Sequence, residues 1–203
     1  MPDVRAYFSK TGRLKYISHL DLQRALARLL VRSGLPIVYT EGFNPHPRLN
    51  IALPLSVYQE GENEAFDFRI SRELPPEEIV GALNAKMFPG SRVSAAEYLN
   101  GKNAPKSAVW RIEMETGMSA EEFEAALKGE MKTIKKSKSG EREVDIAPMI
   151  KLISAEKAGN TLTVRAELPA SGGEYLNPAY IPAYFGEKVK KTRIVREKII
   201  FSK

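Results

Sequence analysis

Arg24, Arg28 and Arg32 stand four residues apart, a spacing that lines three guanidinium groups along one side of a helix. Arginine is the side chain suited to two-pronged contacts with phosphate, and Arg5, Arg13 and Lys15 lie just upstream. A second group sits in Glu41-Gly42-Phe43-Asn44-Pro45-His46-Pro47-Arg48-Leu49. Its two prolines restrict their own φ and the residue before each, so His46 and Arg48 are presented at little ordering cost, with Phe43 as an apolar anchor or a ring for stacking on a base. A third is the tail, with Lys188, Lys190, Lys191, Arg193, Arg196 and Lys198, where alternation in a strand puts Arg196 and Lys198 on one face. Phosphate binding is the chemistry these groups share. Acid–base chemistry falls to His46 or His19, either of which could act as general base on a ribose 2′-hydroxyl while Arg48 or Lys15 stabilises the developing charge; Asp21 and Asp67 are weaker candidates. Solvated faces whose long stems cover apolar surface are the competing reading for each basic group.

Composition narrows the field. The 203 residues carry 31 basic and 25 acidic side chains, two histidines and no cysteine, which excludes thiol nucleophiles, disulfides, Cys-ligated zinc and iron–sulfur clusters in this chain. No metal site and no cofactor are expected. Net charge is +5 over residues 1–50, −4 over 51–100, zero over 101–150 and +5 over 151–203. Two basic ends joined in one surface would form the electrostatic footprint of a nucleic-acid binder. No run approaches the ~20 apolar residues that span a bilayer, and the opening residues lack a signal-peptide pattern, so a cytoplasmic protein is expected.

The elements that position these groups follow from periodicity. Val4 to Phe8 alternates as a strand, Lys10-Thr11-Gly12 is a turn or bulge, and Arg13 to Ile17 is expected to be extended. Ser18 and Asp21 fit a capping box, followed by a helix whose stripe is Leu22, Leu26, Leu29 and Leu30 and whose end is Gly34. Ile37 to Tyr39 is a short strand, 41–50 a loop, and 56–64 an acidic mobile loop. A strand at Phe66–Ile70, a helix opened by Pro75 and Pro76, and a strand from Val93 to Leu99 complete the first half. The second half starts again: a strand through Trp110, Ile112 and Met114, and a helix capped at Ser119. Hairpins follow with tips at Lys138–Glu141 and Ala158–Asn160, then a short helix after Asn177-Pro178 and a strand from Thr192 to Phe201. The fold expected is α+β, two tandem ferredoxin-like units at 1–100 and 108–203 with antiparallel sheets, joined by a linker at 101–107.

The strings Tyr16-Ile17-Ser18-His19-Leu20-Asp21-Leu22, Leu35 through Leu49 and Ala52-Leu53-Pro54-Leu55 resemble the bacterial radical-SAM-linked protein family, whose molecular function is uncharacterised. The resemblance runs along the whole chain. It implies a domain found alone or joined to a radical S-adenosylmethionine enzyme, among ribosomal-protein and ribonuclease genes. With no cysteine here, any cluster would belong to a separate partner chain. The function expected is a module that binds tRNA or rRNA and serves such an enzyme; the alternatives are a metal-independent endoribonuclease, whose layout resembles the tandem ferredoxin-like CRISPR RNA-processing endonucleases, or another RNA-processing enzyme, and an adaptor for a radical enzyme or ribosome-associated protein with no RNA contact. The residues do not indicate an oligomeric state.

Overall fold

The computed structural model describes residues 1–101, 103–137, 140–171 and 174–202. The chain divides into two compact units, Met1–Pro105 with Phe201–Lys203, and Lys106–Ile200. Both are α+β, built on antiparallel ladders. No described helix is long and apolar enough to cross a membrane.

In the first unit, β1 (Asp3–Lys10) leads through a 3-10 turn at Gly12–Tyr16 into α1 (His19–Arg32). Then come β2 (Leu49–Ile51), β3 (Glu60–Arg69), α2 (Pro76–Asn84) and β4 (Val93–Tyr98). The strand order is β4-β1-β3-β2. Cross-strand partners Val4↔Phe68 and Ala6↔Phe66 set one face of the sheet, and the buried Leu22, Leu26, Leu29 and Leu30 of α1, with Ile79 and Leu83 of α2, join its core. Ser18 caps α1 by accepting the Asp21 amide at 3.1 Å. The Asp21 carboxylate accepts the Ser18 hydroxyl instead of a backbone amide, so half of the expected box forms. Gly34, at φ +76°, takes the left-handed position that ends the helix.

Three expectations are corrected here. Residues 13–16 are a 3-10 turn instead of a strand, because Gly12 at φ +60° reverses the chain directly after β1. The acidic stretch 56–64 is half strand: β3 starts at Glu60, and Lys10, Glu60 and Glu64 are buried together at its start. Its charge does not expel it from the fold because it has partners, Glu60 accepting the Gly12 amide at 3.1 Å and lying 3.8 Å from the Lys15 ammonium. Ile37 and Tyr39 make only isolated bridges, to Ile70 and Pro47.

In the second unit β5 (Pro105–Thr116) is followed by α3 (Ala120–Lys128), whose Ser119/Glu122 capping box forms completely. Among the described residues the hairpin β6 (Lys132–Ser137) and β7 (Gly140–Asp145) pairs only with itself; Lys138 and Ser139, at its expected tip, lie outside the described residues, as does Lys102 of the expected linker. Its ends are joined where Asp145 accepts the Met131 amide at 2.8 Å and Met131 accepts the Ile146 amide at 3.0 Å. Next are β8 (Lys151–Ala158), β9 (Thr161–Ser171), β10 (Glu174–Tyr175), α4 (Tyr180–Phe185) and β11 (Val189–Phe201). The order is β9-β5-β11, with β8 and β10 both on β9. Leu162, Val164, Ala166 and Leu168 are buried as their alternation requires, and the first three face Met114, Ile112 and Trp110 across the ladder.

Candidate nucleic-acid interface

The loop after α1 is closed by its own backbone. The Thr40 amide donates to the His46 carbonyl at 2.8 Å and the His46 amide to the Thr40 hydroxyl at 3.1 Å. The Arg48 amide then donates to the Val38 carbonyl at 3.0 Å. Between these anchors Gly42 sits at φ +119°, where a side chain would be strained, and Phe43 beside it is fully exposed. Pro47 is buried while His46 and Arg48 on either side are exposed. Proline seats the loop and its neighbours face out.

Pro47 separates two clefts. On one side it meets Ala27, Arg28, Val31 and Arg32 of α1 around about 280 Å³. On the other, His46, Arg48, Asn50, Asp67, Arg69 and Asp3 border about 440 Å³. Helix and loop, separate motifs in the sequence, therefore share one surface. Arg28 makes no ion pair among the described residues. Arg32 is tethered at 3.3 Å to the Arg28 carbonyl and at 3.5 Å to that of Lys86. Arg24 pairs with Asp21, three residues before it, at 3.3 Å, but both side chains are exposed and the pair is weak. Asp3 holds Arg69 by two bonds of 2.7 Å. That hydrogen bonding, against burial and with the added charges of Arg69 and Arg48, keeps its carboxyl below the usual range.

His46 Nδ1 lies 3.1 Å from the Thr40 hydroxyl and 3.3 Å from the Asn44 carbonyl. A carbonyl only accepts, so it favours the Nδ1–H tautomer and leaves the lone pair on Nε2. A base is thus available, but neither cleft is bordered by His19 or Asp21, and the structure does not assemble a two-histidine site there. Asp21 is engaged by the helix cap and Arg24. Among the described residues no group of three or more His, Asp or Glu could hold a metal.

Two of the basic residues expected on the binding face belong to the interior. Arg5 is 1% exposed. It forks onto Asp67, its cross-strand partner, at 2.7 and 2.8 Å, and its guanidinium lies 3.6 Å from the centre of the Phe201 ring. Alternation points Arg5 away from the helices, but Phe201 and the Asn103 carbonyl, at 3.1 Å, cover that side. Arg196 is fully buried with its guanidinium 5.2 Å from the Trp110 ring, whereas Lys198 is exposed, so the two do not share an open face. Lys15 is half-buried beside Glu60, and Arg13 is exposed. In the second unit Lys190 and Lys191 are exposed, while Arg193 lies 3.5 Å from Glu113 in a small cleft that includes Glu115. Asp3, Asn50 and Arg69 were not foreseen as walls of the His46 cleft. Their signal was the outward alternation of Asp67 and Arg69 on β3.

The fold and this surface define an α+β protein with an arginine-bearing helix locked against a proline-clamped, histidine-containing loop. Residues 4–178 match the family described as "Uncharacterized protein conserved in bacteria (DUF2344)", and the chain belongs to that family. A search of curated proteins finds no match.

Proposed function

We propose that the chain is an RNA-binding accessory module, with tRNA or rRNA as ligand, acting beside a separate radical S-adenosylmethionine enzyme. The observation that carries the RNA reading is the meeting of α1 and the loop at Pro47, which draws Arg28, Arg32, His46 and Arg48 onto one surface with the exposed Phe43 in the same loop. Guanidinium groups hold phosphates and a bare aromatic ring stacks on an unpaired base. Reading the chain as two ferredoxin-like units is supported by the order β4-β1-β3-β2 in the first. In the second, β8-β9-β5-β11 repeats it, with the β6–β7 hairpin added between α3 and β8.

The test is filter binding of bacterial tRNA and rRNA fragments across about 50 to 200 mM salt. Arg28→Ala/Arg48→Ala should weaken binding and flatten the salt dependence by about one unit of slope for each phosphate no longer held. Unchanged affinity and slope in a folded variant would overturn it. One observation favours a protein-docking reading instead: Val31 is exposed beside Ala27 and Pro47 in a mainly apolar cleft. Binding of a protein there would be nearly insensitive to salt and to RNase.

A further inference from the structure

The second unit carries a cationic cleft that the RNA surface of the first does not involve. Lys106 at the start of β5, Lys135 of β6, Arg142 of β7 and Lys151 at the start of β8 converge on an open space of about 610 Å³, with Glu167 and Glu174 as its carboxylates. Four cations against two anions leave an excess of two positive charges. Glu167 is already engaged, accepting the Ser107 hydroxyl at 2.6 Å and the Lys151 ammonium at 3.1 Å; the Ser107 bond first, then Lys151, hold it below the usual carboxylate range. Lys135 donates to the Tyr175 carbonyl at 2.7 Å, which fixes its position without neutralising it. Lys106 and Arg142 make no ion pair among the described residues.

The strand register sets two of these cations against each other. Lys135 is paired directly with Arg142 across the β6–β7 hairpin, and like charges in that relation destabilise a ladder. Burial, then the Arg142 charge, lower the proton affinity of Lys135. This occurs in a two-stranded hairpin that pairs with no other described strand, the kind of ladder least able to stand repulsion. An anion between the two strands would turn the repulsion into attraction.

We propose that this cleft binds the phosphate of a nucleotide-sized ligand. Its volume lies in the range of small-molecule sites. Arg142 supplies a two-pronged contact, Lys106 and Lys151 supply point charges, and Val144, Met149 and Leu168 provide an apolar wall for the organic part. The site is independent of the RNA reading, which rests on the first unit. Phosphate is the shared chemistry of two sources, a free nucleotide and the phosphorylated end of an RNA.

The experiment is calorimetric titration of the full chain with inorganic phosphate, adenosine 5′-monophosphate, adenosine, and short single-stranded RNA with and without a 5′-phosphate. Expected is saturable one-to-one binding of phosphate-bearing probes, none of adenosine, and slower amide exchange in 132–145 on binding. Lys106→Gln/Arg142→Gln, which changes two exposed side chains, should bind at least tenfold more weakly while Arg28→Ala/Arg48→Ala binds as before. Binding of the mononucleotide assigns a free nucleotide; binding confined to phosphorylated RNA assigns an RNA end. No saturable binding of any phosphate probe, or equal affinity in Lys106→Gln/Arg142→Gln, would overturn the proposal. Loss of tRNA binding in Arg28→Ala/Arg48→Ala alone bears on the first unit only.

Discussion

Asp67→Ala should destabilise the first unit far more than Arg5→Met, although the two substitutions break the same pair. The difference lies in what each leaves behind. The Arg5 side chain is 2% accessible and that of Asp67 19%. Removing the carboxylate strands a guanidinium that water cannot reach, a change that costs about 3–5 kcal/mol. Removing the guanidinium leaves a carboxylate with a path to solvent and fills the space beside Phe201 with a methionine, at about 1–3 kcal/mol. Arg5→Met/Asp67→Leu, with neither charge, should come within about 1 kcal/mol of the unsubstituted protein or exceed it. Urea unfolding followed by a probe in the first unit reads these values; at about 1–3 kcal/mol per molar, Asp67→Ala should lower the midpoint by more than about 1 M. Equal costs for the two single variants would refute the reasoning, and so would a double variant as unstable as Asp67→Ala.

Further outcomes follow from other interactions. Burial first, then a hydrogen bond to Glu97, raises the Tyr7 phenol from the ordinary 10.0 to about 12. The neutral form is favoured in the folded state, so this stabilisation is complete below pH ~10 and disappears as pH rises through about 12; ultraviolet titration should find a late phenol near pH 12 that Tyr7→Phe removes, beside that of Tyr175, which burial also raises. Leu26→Ala, at a fully buried position of α1, should cost about 2–5 kcal/mol in urea unfolding. Gly61→Ala would place a methyl 2.2–2.5 Å from the Glu64 side chain and should cost about 1–3 kcal/mol by displacing it. Thr40→Val removes the hydroxyl that accepts the His46 amide; amide exchange across residues 41–46 should quicken while the melting of α1 stays as it was.

The helices were legible because local chemistry sets them: the leucine stripe of α1, the Ser119/Glu122 box and the prolines before α2 act within a turn or two. The strand β9 was legible for the same reason, since alternation is local. The starts of β3 and β2 were not. Glu60 and Glu64 read as solvent-seeking until Lys10, 50 residues away in sequence from Glu60, supplies a buried neighbour. The site divides likewise. His46, Arg48 and the arginine helix were visible as motifs, and their meeting through Pro47 is a tertiary fact. Arg5 failed as a surface residue because alternation states which way a side chain points and not what later covers it. The cleft of Lys106, Lys135, Arg142 and Lys151 was invisible because its four cations come from four strands, in a stretch whose net charge is near zero.

The joined feet of the β6–β7 hairpin bear on the family's history. Met131 and Asp145 already touch, so the β6 and β7 strands between them form a detour that, among the described residues, the surrounding ladders do not traverse. Insertions, deletions or wholesale exchange there would leave β5, β8 and β9 in register. Related chains are then free to keep one scaffold while this hairpin varies in length and charge.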